Sequence, residues 1–184
     1  MNTVEHRTKQ GFAIWITGLP SSGKSTLACA LAKELAAHGV DSEVLESDTL
    51  RRILTPRAVY TEEERDIFYA AMVYVGKLLV EHGVPVIFDA TANRREFRDR
   101  ARQQIPQFLE VYVDCPLAVC MGRDPKGIYR KAQQGQTNTV PGLQARYEPP
   151  EMPDLVVQGD KEPPESAAAR VVAILAERQF VSPV

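Results

Sequence analysis

Gly18-Leu19-Pro20-Ser21-Ser22-Gly23-Lys24-Ser25-Thr26 fits the pattern G-x-x-x-x-G-K-[ST] of a phosphate-binding loop. Phe12-Ala13-Ile14-Trp15-Ile16 before it is an apolar run of strand length. Thr26 to Ala36 after it is rich in good helix formers. The stretch therefore joins a buried strand to a helix N-terminus. Gly18 and Gly23 let the backbone turn and approach a ligand closely. Free N–H groups and the helix dipole then favour a polyphosphate. Lys24 is placed to reach β- and γ-phosphates, and the Ser25 hydroxyl to bind Mg²⁺.

Working outward, Ser42-Glu43-Val44-Leu45 reads as a second strand, followed by a helix over 49–54. Asp48 falls between them, where an open α/β sheet binds ligands; a helix N-cap is the other reading. Thr61 with Glu64 is a capping-box signature opening a long helix up to His82-Gly83. Ile67, Ala71, Val75, Leu78 and Leu79 predict its apolar face. Arg65 in its first turn reads locally as an exposed partner of Glu62 or Asp66. Val84-Pro85-Val86-Ile87-Phe88-Asp89 is a third apolar run ending in a carboxylate, either a Mg²⁺-assisting acid or a strand-end helix cap. The arginines in Arg94–Arg102 form an anion site or a solvated helix face balanced by Glu96 and Asp99.

Leu109 to Asp114 alternates like a strand, and Pro116 opens a short helix over 117–123. From Asp124 to Gly142, breakers mix with basic residues: Arg123, Lys126, Arg130 and Lys131 surround a hinge. That composition predicts a mobile lid over phosphates, at about 123–142, or else plain surface. Leu155-Val156-Val157 is a last strand and 166–180 a closing helix, with Ala167, Val171, Ile174 and Leu175 on one face. Alternating strands and helices predict an α/β fold, a parallel sheet with helices on both faces.

The 184 residues suit one domain at 11–184 behind a polar leader at 1–10. A net charge of -2 gives no basic surface, which argues against nucleic acid as a partner. No apolar run reaches membrane-spanning length, so no membrane partner is expected. Cys29, Cys115 and Cys120 lack metal-ligand spacing and read as small, reduced core residues of a cytoplasmic protein.

Arg123-Asp124-Pro125-Lys126-Gly127-Ile128-Tyr129-Arg130-Lys131-Ala132 resembles the R-D-P-K-G-L-Y-x-K-A lid of the adenylylsulfate kinases (APS kinases). Pro141-Gly142 and Tyr147-Glu148-Pro149-Pro150, followed by Pro153-Asp154-Leu155, are similar to that family's segment after the lid. The resemblance covers about Gly11 to Val157. It implies a P-loop nucleoside-kinase-like fold, usually homodimeric, and transfer of the ATP γ-phosphoryl to the 3′-hydroxyl of adenosine 5′-phosphosulfate. It implies that Gly18, Ser21, Ser22, Gly23, Lys24, Ser25, Thr26 and Arg123 bind ATP, with Ser25 on Mg²⁺; Asp89 joins Ser25 as a Mg²⁺ candidate by its strand-end position alone. Asp48 matches the second Asp of the family's D-G-D motif and would act with Lys24 in catalysis. Arg51, Tyr60, Arg65, Asn93, Lys126 and Val140 would line the acceptor.

The chain also departs from the family pattern. Glu46-Ser47 replaces the first Asp-Gly, and Ile67-Phe68 stands where Glu-Asn is expected. Thr91-Ala92-Asn93-Arg94-Arg95 replaces Ile-Ser-Pro-Tyr-Arg, and Val140-Pro141-Gly142 replaces Phe-Thr-Gly. Asp89 is an acid where the family usually has none. The ATP and lid half matches, whereas the acceptor half is altered. Two other readings follow: a kinase for another nucleotide or sugar-like anionic metabolite, and a nucleotide-binding regulator.

Overall fold

The computed structural model describes residues 11–182, so the expected leader at 1–10 lies outside it. Five strands form one sheet: β1 (Ala13–Gly18), β2 (Glu43–Glu46), β3 (Val86–Asp89), β4 (Phe108–Asp114) and β5 (Leu155–Gln158). Their spatial order is β2-β3-β1-β4-β5, and every neighbouring pair is parallel. The strand order reverses beside β1, and in such sheets the crevice at the carboxyl ends there is the ligand site.

Both faces of β1 are buried, so its sequence is continuously apolar rather than alternating. Phe12, Ile14 and Ile16 point to one side, packing with Leu27, Leu31 and Leu35 of α1 (Lys24–Ala37). Val171 and Leu175 of α7 (Pro164–Glu177) complete that layer. Ala13 and Trp15 point to the other side, against Phe88 of β3 and an aromatic cluster on two further helices. Trp15 stacks on Phe88 with centroids 4.6 Å apart, and its indole N–H donates to Ala90 O at 3.0 Å.

The second layer is built by α3 (Glu62–Glu81) and α4 (Arg95–Gln104), and α3 corrects the sequence reading. Its inward face is Phe68, Tyr69, Met72, Val73, Gly76 and Val80. Ile67, Val75 and Leu78 of the expected stripe face outward, with Ile67 62% exposed. The helix is apolar on two sides, so spacing alone does not select the buried one. The aromatic side wins because Tyr69 stacks on Phe97 of α4 at 4.6 Å and lies against Trp15. Thr61 caps α3 as expected, its hydroxyl accepting from Glu64 N at 3.2 Å. The Glu64 carboxylate instead takes the amides of Val59 at 2.7 Å and Tyr60 at 3.3 Å.

The arginine run is neither an open anion site nor a wholly solvated face. Arg94 pairs with Glu96, Arg95 with Glu151, Arg100 with Asp66, and Arg102 with Glu110 and Asp154. Arg98 is 1% exposed and pairs with Glu110. Cys115 and Cys120 are buried as expected, but Cys29 is exposed on the outer side of α1. Between β4 and β5 run α5 (Leu117–Arg123) and α6 (Ile128–Gln133), so the lid region contains a helix. The helix α2 (Ser47–Leu54) follows β2 directly. Among the described residues, no helix is long and apolar enough to cross a membrane.

Candidate active site

β1 ends at Gly18 and α1 begins at Lys24, so the loop sits over the start of a 14-residue helix. Gly18 has φ 155°, and a Cβ there would lie 2.6 Å from Val113 O. Glycine alone lets the loop lie this close to β4. The Ser22 hydroxyl is buried and lacks a hydrogen-bond partner among the described residues. Lys24 is buried, and its Nζ donates to Leu19 O at 2.8 Å. Burial pulls its ammonium below the usual range, with the Asp89 carboxylate the main opposing influence.

The opposite wall is made by the ends of β2 and β3, whose register places Glu46 beside Asp89. Asp89 is 5% exposed, and burial raises its carboxyl above the usual range against a hydrogen bond from Ser25 and the charge of Lys24. The N-cap of α4 is Arg94, so Asp89 is not a helix cap. Nor is Asp48, since Glu46 holds the N-cap position of α2. Asp48 is half-exposed and accepts from Lys126 Nζ at 2.6 Å; the same ammonium lies 3.7 Å from Glu46 Oε1. The bond to Asp48 raises the Lys126 ammonium above its usual range.

Arg51 and Arg65 are both buried. The Arg51 guanidinium lies 3.8 Å from the Phe68 ring centroid and 4.8 Å from that of Tyr60, and Nη1 reaches Glu64 at 3.4 Å. Arg65 is not the exposed partner of Glu62 or Asp66 that its local sequence suggests. Its Nε donates to Tyr60 O at 3.1 Å, Nη1 to Asn93 Oδ1 at 3.2 Å and Nη2 to Thr139 O at 2.8 Å. Tyr60 holds φ 59°, a left-handed conformation supported by those bonds and by Glu64.

A cleft of about 910 Å³ connects these walls. It is lined by Ser21, Gly23, Lys24, Ser25, Thr26, Asp48, Arg51, Tyr60, Arg65, Asp89, Arg123, Lys126 and Val140. Gly18, Ser22 and Asn93, also expected in the site, lie behind this lining. Two features escaped the sequence reading. The segment Gly159–Pro164 forms one end of the cleft, with Arg123 Nη1 donating to Gly159 O at 2.9 Å. Tyr129 of α6 is buried, and its hydroxyl donates to Pro20 O at 3.0 Å, pinning the lid helix to the phosphate loop. Tyr129 stands in the lid motif, but its anchoring contact to Pro20, 109 residues away, has no local signal.

Among the described residues, no three His, Cys, Asp or Glu side chains form a metal cage. The hard oxygens of Ser25 and Asp89 nonetheless suit Mg²⁺, which usually keeps waters and substrate phosphates in its shell rather than an all-protein cage.

A phosphate loop under a basic lid, facing a carboxylate and a buried arginine, on a parallel α/β sheet, defines a P-loop phosphotransferase acting on small molecules. The chain belongs to the adenylylsulphate kinase family, whose family model matches residues 10–158. A probable adenylyl-sulfate kinase of Pyrococcus abyssi is 39% identical over 163 residues, covering 89% of this chain and 94% of that protein. A probable bifunctional SAT/APS kinase 2 of Sorangium cellulosum is 39% identical over 171 residues, 93% of this chain; the chain spans 29% of that longer protein. The solved Mycobacterium tuberculosis APS kinase in complex with AMPPNP and APS superposes with a TM-score of 0.85 at 32% identity, over 90% of this chain and 98% of that one.

Proposed function

We propose that this protein transfers the γ-phosphoryl of ATP to the 3′-hydroxyl of adenosine 5′-phosphosulfate. The observation carrying this is the convergence of Lys24, Ser25, Asp89, Asp48 and Arg51 on one cleft beneath the lid. Phosphoryl transfer needs little covalent help from protein; it needs positioning and stabilisation of spread negative charge.

The loop amides and the α1 N-terminus receive the phosphates. Lys24 exchanges Leu19 O for phosphate oxygens, whose negative charge offsets the burial that disfavours its ammonium. Ser25 and Asp89 would hold Mg²⁺, which would supply neutralisation of the charge on the transferring phosphates. Asp48 orients the acceptor hydroxyl and accepts its proton, and Lys126, 2.6 Å away, holds that carboxylate in place until the acceptor arrives. Arg51 presents the planar fork that suits phosphate or sulfate. Tyr129 and Arg123 seat the lid on the loop, excluding water that would hydrolyse ATP.

Labelled ATP, Mg²⁺ and adenosine 5′-phosphosulfate should yield label on the acceptor, with ATP turnover stimulated by it. Label appearing only on another nucleotide or sugar-like anion would replace this acceptor. That second reading draws on Phe68 packed under Arg51 and Asn93 held by Arg65, both where the family pattern has other residues. Slow hydrolysis without acceptor stimulation would favour a regulator.

The same reading includes a homodimer in the cytoplasm. Ile67, Tyr74, Val75 and Leu78 form an exposed apolar stripe along α3, the face we assign to the second copy. Tyr74→Glu should give a monomer by light scattering, and an unchanged mass would remove this face from the interface.

A further inference from the structure

We propose that Asn93 is a positioning residue that, through Arg65, ties the far end of the lid to the acceptor side of the cleft. The inference rests on the kinase reading only for the meaning of lid and acceptor; the tie itself is a matter of geometry.

Each nitrogen of Arg65 donates to a different segment: Nε to Tyr60 O before α3, Nη1 to Asn93 after β3, and Nη2 to Thr139 O at the end of the lid. Arg65 is thus a junction of three loops that lie far apart in sequence. Asn93 is 6% exposed and held at both ends of its amide. Its Oδ1 accepts from Arg65, its Nδ2 donates to Arg146 O at 3.0 Å, and its backbone O accepts from Glu148 N at 2.8 Å. These partners fix the amide orientation, since a flip would aim an NH₂ at a guanidinium and an oxygen at a carbonyl.

The segment beneath is also held. Ala92 has φ 40°, its N donates to the Tyr69 hydroxyl at 3.1 Å, and its O accepts from buried Arg98. Asn93 therefore stands on a rigid base, and Arg65 transmits that position to Thr139. The front of the lid is fastened differently, by Tyr129 to Pro20 and Arg123 to Gly159. One end of the lid senses the phosphate loop and the other the acceptor wall. Val140, beside Thr139, is 3% exposed and lines the cleft, so loosening Thr139 disturbs the acceptor pocket directly.

The test compares Asn93→Leu, which removes both amide functions at similar volume, with Asn93→Asp, which keeps an acceptor for Arg65, and with Arg65→Lys, which removes the fork. Amide hydrogen exchange is followed in the full chain with Mg²⁺ and a non-hydrolysable ATP analogue, without acceptor. Loss of a charge-assisted hydrogen bond corresponds to roughly ten- to hundredfold faster exchange over 137–142. Asn93→Leu and Arg65→Lys should show it with β1 and α1 unchanged, whereas Asn93→Asp should stay near wild type over 137–142 and exchange faster only around Arg146, whose carbonyl loses the Nδ2 donor. In turnover, Asn93→Leu should raise KM for adenosine 5′-phosphosulfate on the order of tenfold and leave KM for ATP within about twofold. Unchanged exchange over 137–142, a uniform rise through the whole protein, or both KM values rising in step would overturn the tie. If Asn93→Leu fails to fold, Arg65→Lys against Asn93→Asp decides by the same exchange readout. Wild-type protein inactive on adenosine 5′-phosphosulfate would defeat that acceptor, while the exchange experiment would still decide the tie.

Discussion

Arg98→Met should be the most damaging single substitution outside the cleft. Arg98 is 1% exposed, and its Nε donates to Glu110 Oε1 at 2.6 Å. Nη2 donates to Glu148 O at 2.7 Å, and Nη1 serves Ala92 O and Arg94 O. Methionine fills much of the volume, so the loss is chiefly electrostatic. Removing one partner of a buried pair costs about 3–5 kcal/mol, because the other charge stays buried without compensation. Glu110 keeps Arg102 at 3.3 Å through its second oxygen, which favours the lower end. For a chain of this size about 3–5 kcal/mol is a fall of roughly 6–20 °C in Tm. Arg98→Met/Glu110→Leu removes both charges and should recover much of the loss, as apolar replacements of buried pairs often do. Urea unfolding and calorimetry measure both variants. A loss below about 1 kcal/mol for the single variant, or a double variant less stable than it, would refute the reasoning.

Gly76→Ala should destabilise by about 1–3 kcal/mol in urea unfolding rather than gain the usual helix propensity of about 1 kcal/mol. A Cβ at Gly76 would meet the Phe88 ring at 2.1 Å, and a gain in stability would show that Phe88 moves freely. Asp89 titrates above its ordinary value because of burial, so between the two values the folded state binds more protons. Its contribution to stability therefore falls as pH rises through that window, and the penalty persists at neutral pH. Asp89→Asn should raise the Tm of the ligand-free protein at pH 7, an advantage that disappears as the pH falls below the ordinary carboxylate range, while lessening stabilisation by Mg²⁺ and ATP. No rise at pH 7 would mean that the Ser25 bond and Lys24 outweigh burial. Asp48→Asn should lower kcat by on the order of 100-fold with KM for ATP little changed, and unaltered turnover would remove Asp48 from the chemistry.

The parallel α/β plan was legible because each unit carries its own period: apolar strands, capped helices and a glycine-framed loop at the strand-to-helix turn. The lid motif, with Lys126 and Arg123, was legible for the same local reason. The buried face of α3 was not, since Ile67, Val75 and Leu78 repeat as well as Phe68, Met72 and Val80 do. Only packing against Trp15, Phe88 and Phe97 distinguishes them.

Charge showed the same division. The run Arg94–Arg102 announced a cationic helix, but which arginine is buried depends on Glu110, twelve residues beyond Arg98 on β4. Arg65 next to Glu62 and Asp66 looked like a surface pair, yet its partners are Asn93 and Thr139, 28 and 74 residues away. Sequence alone determined the elements, the phosphate loop and the chemical groups available, because those depend on neighbours along the chain. The tertiary structure decided which groups are desolvated and whom they meet, because burial and long-range hydrogen bonds arise only when separate elements pack.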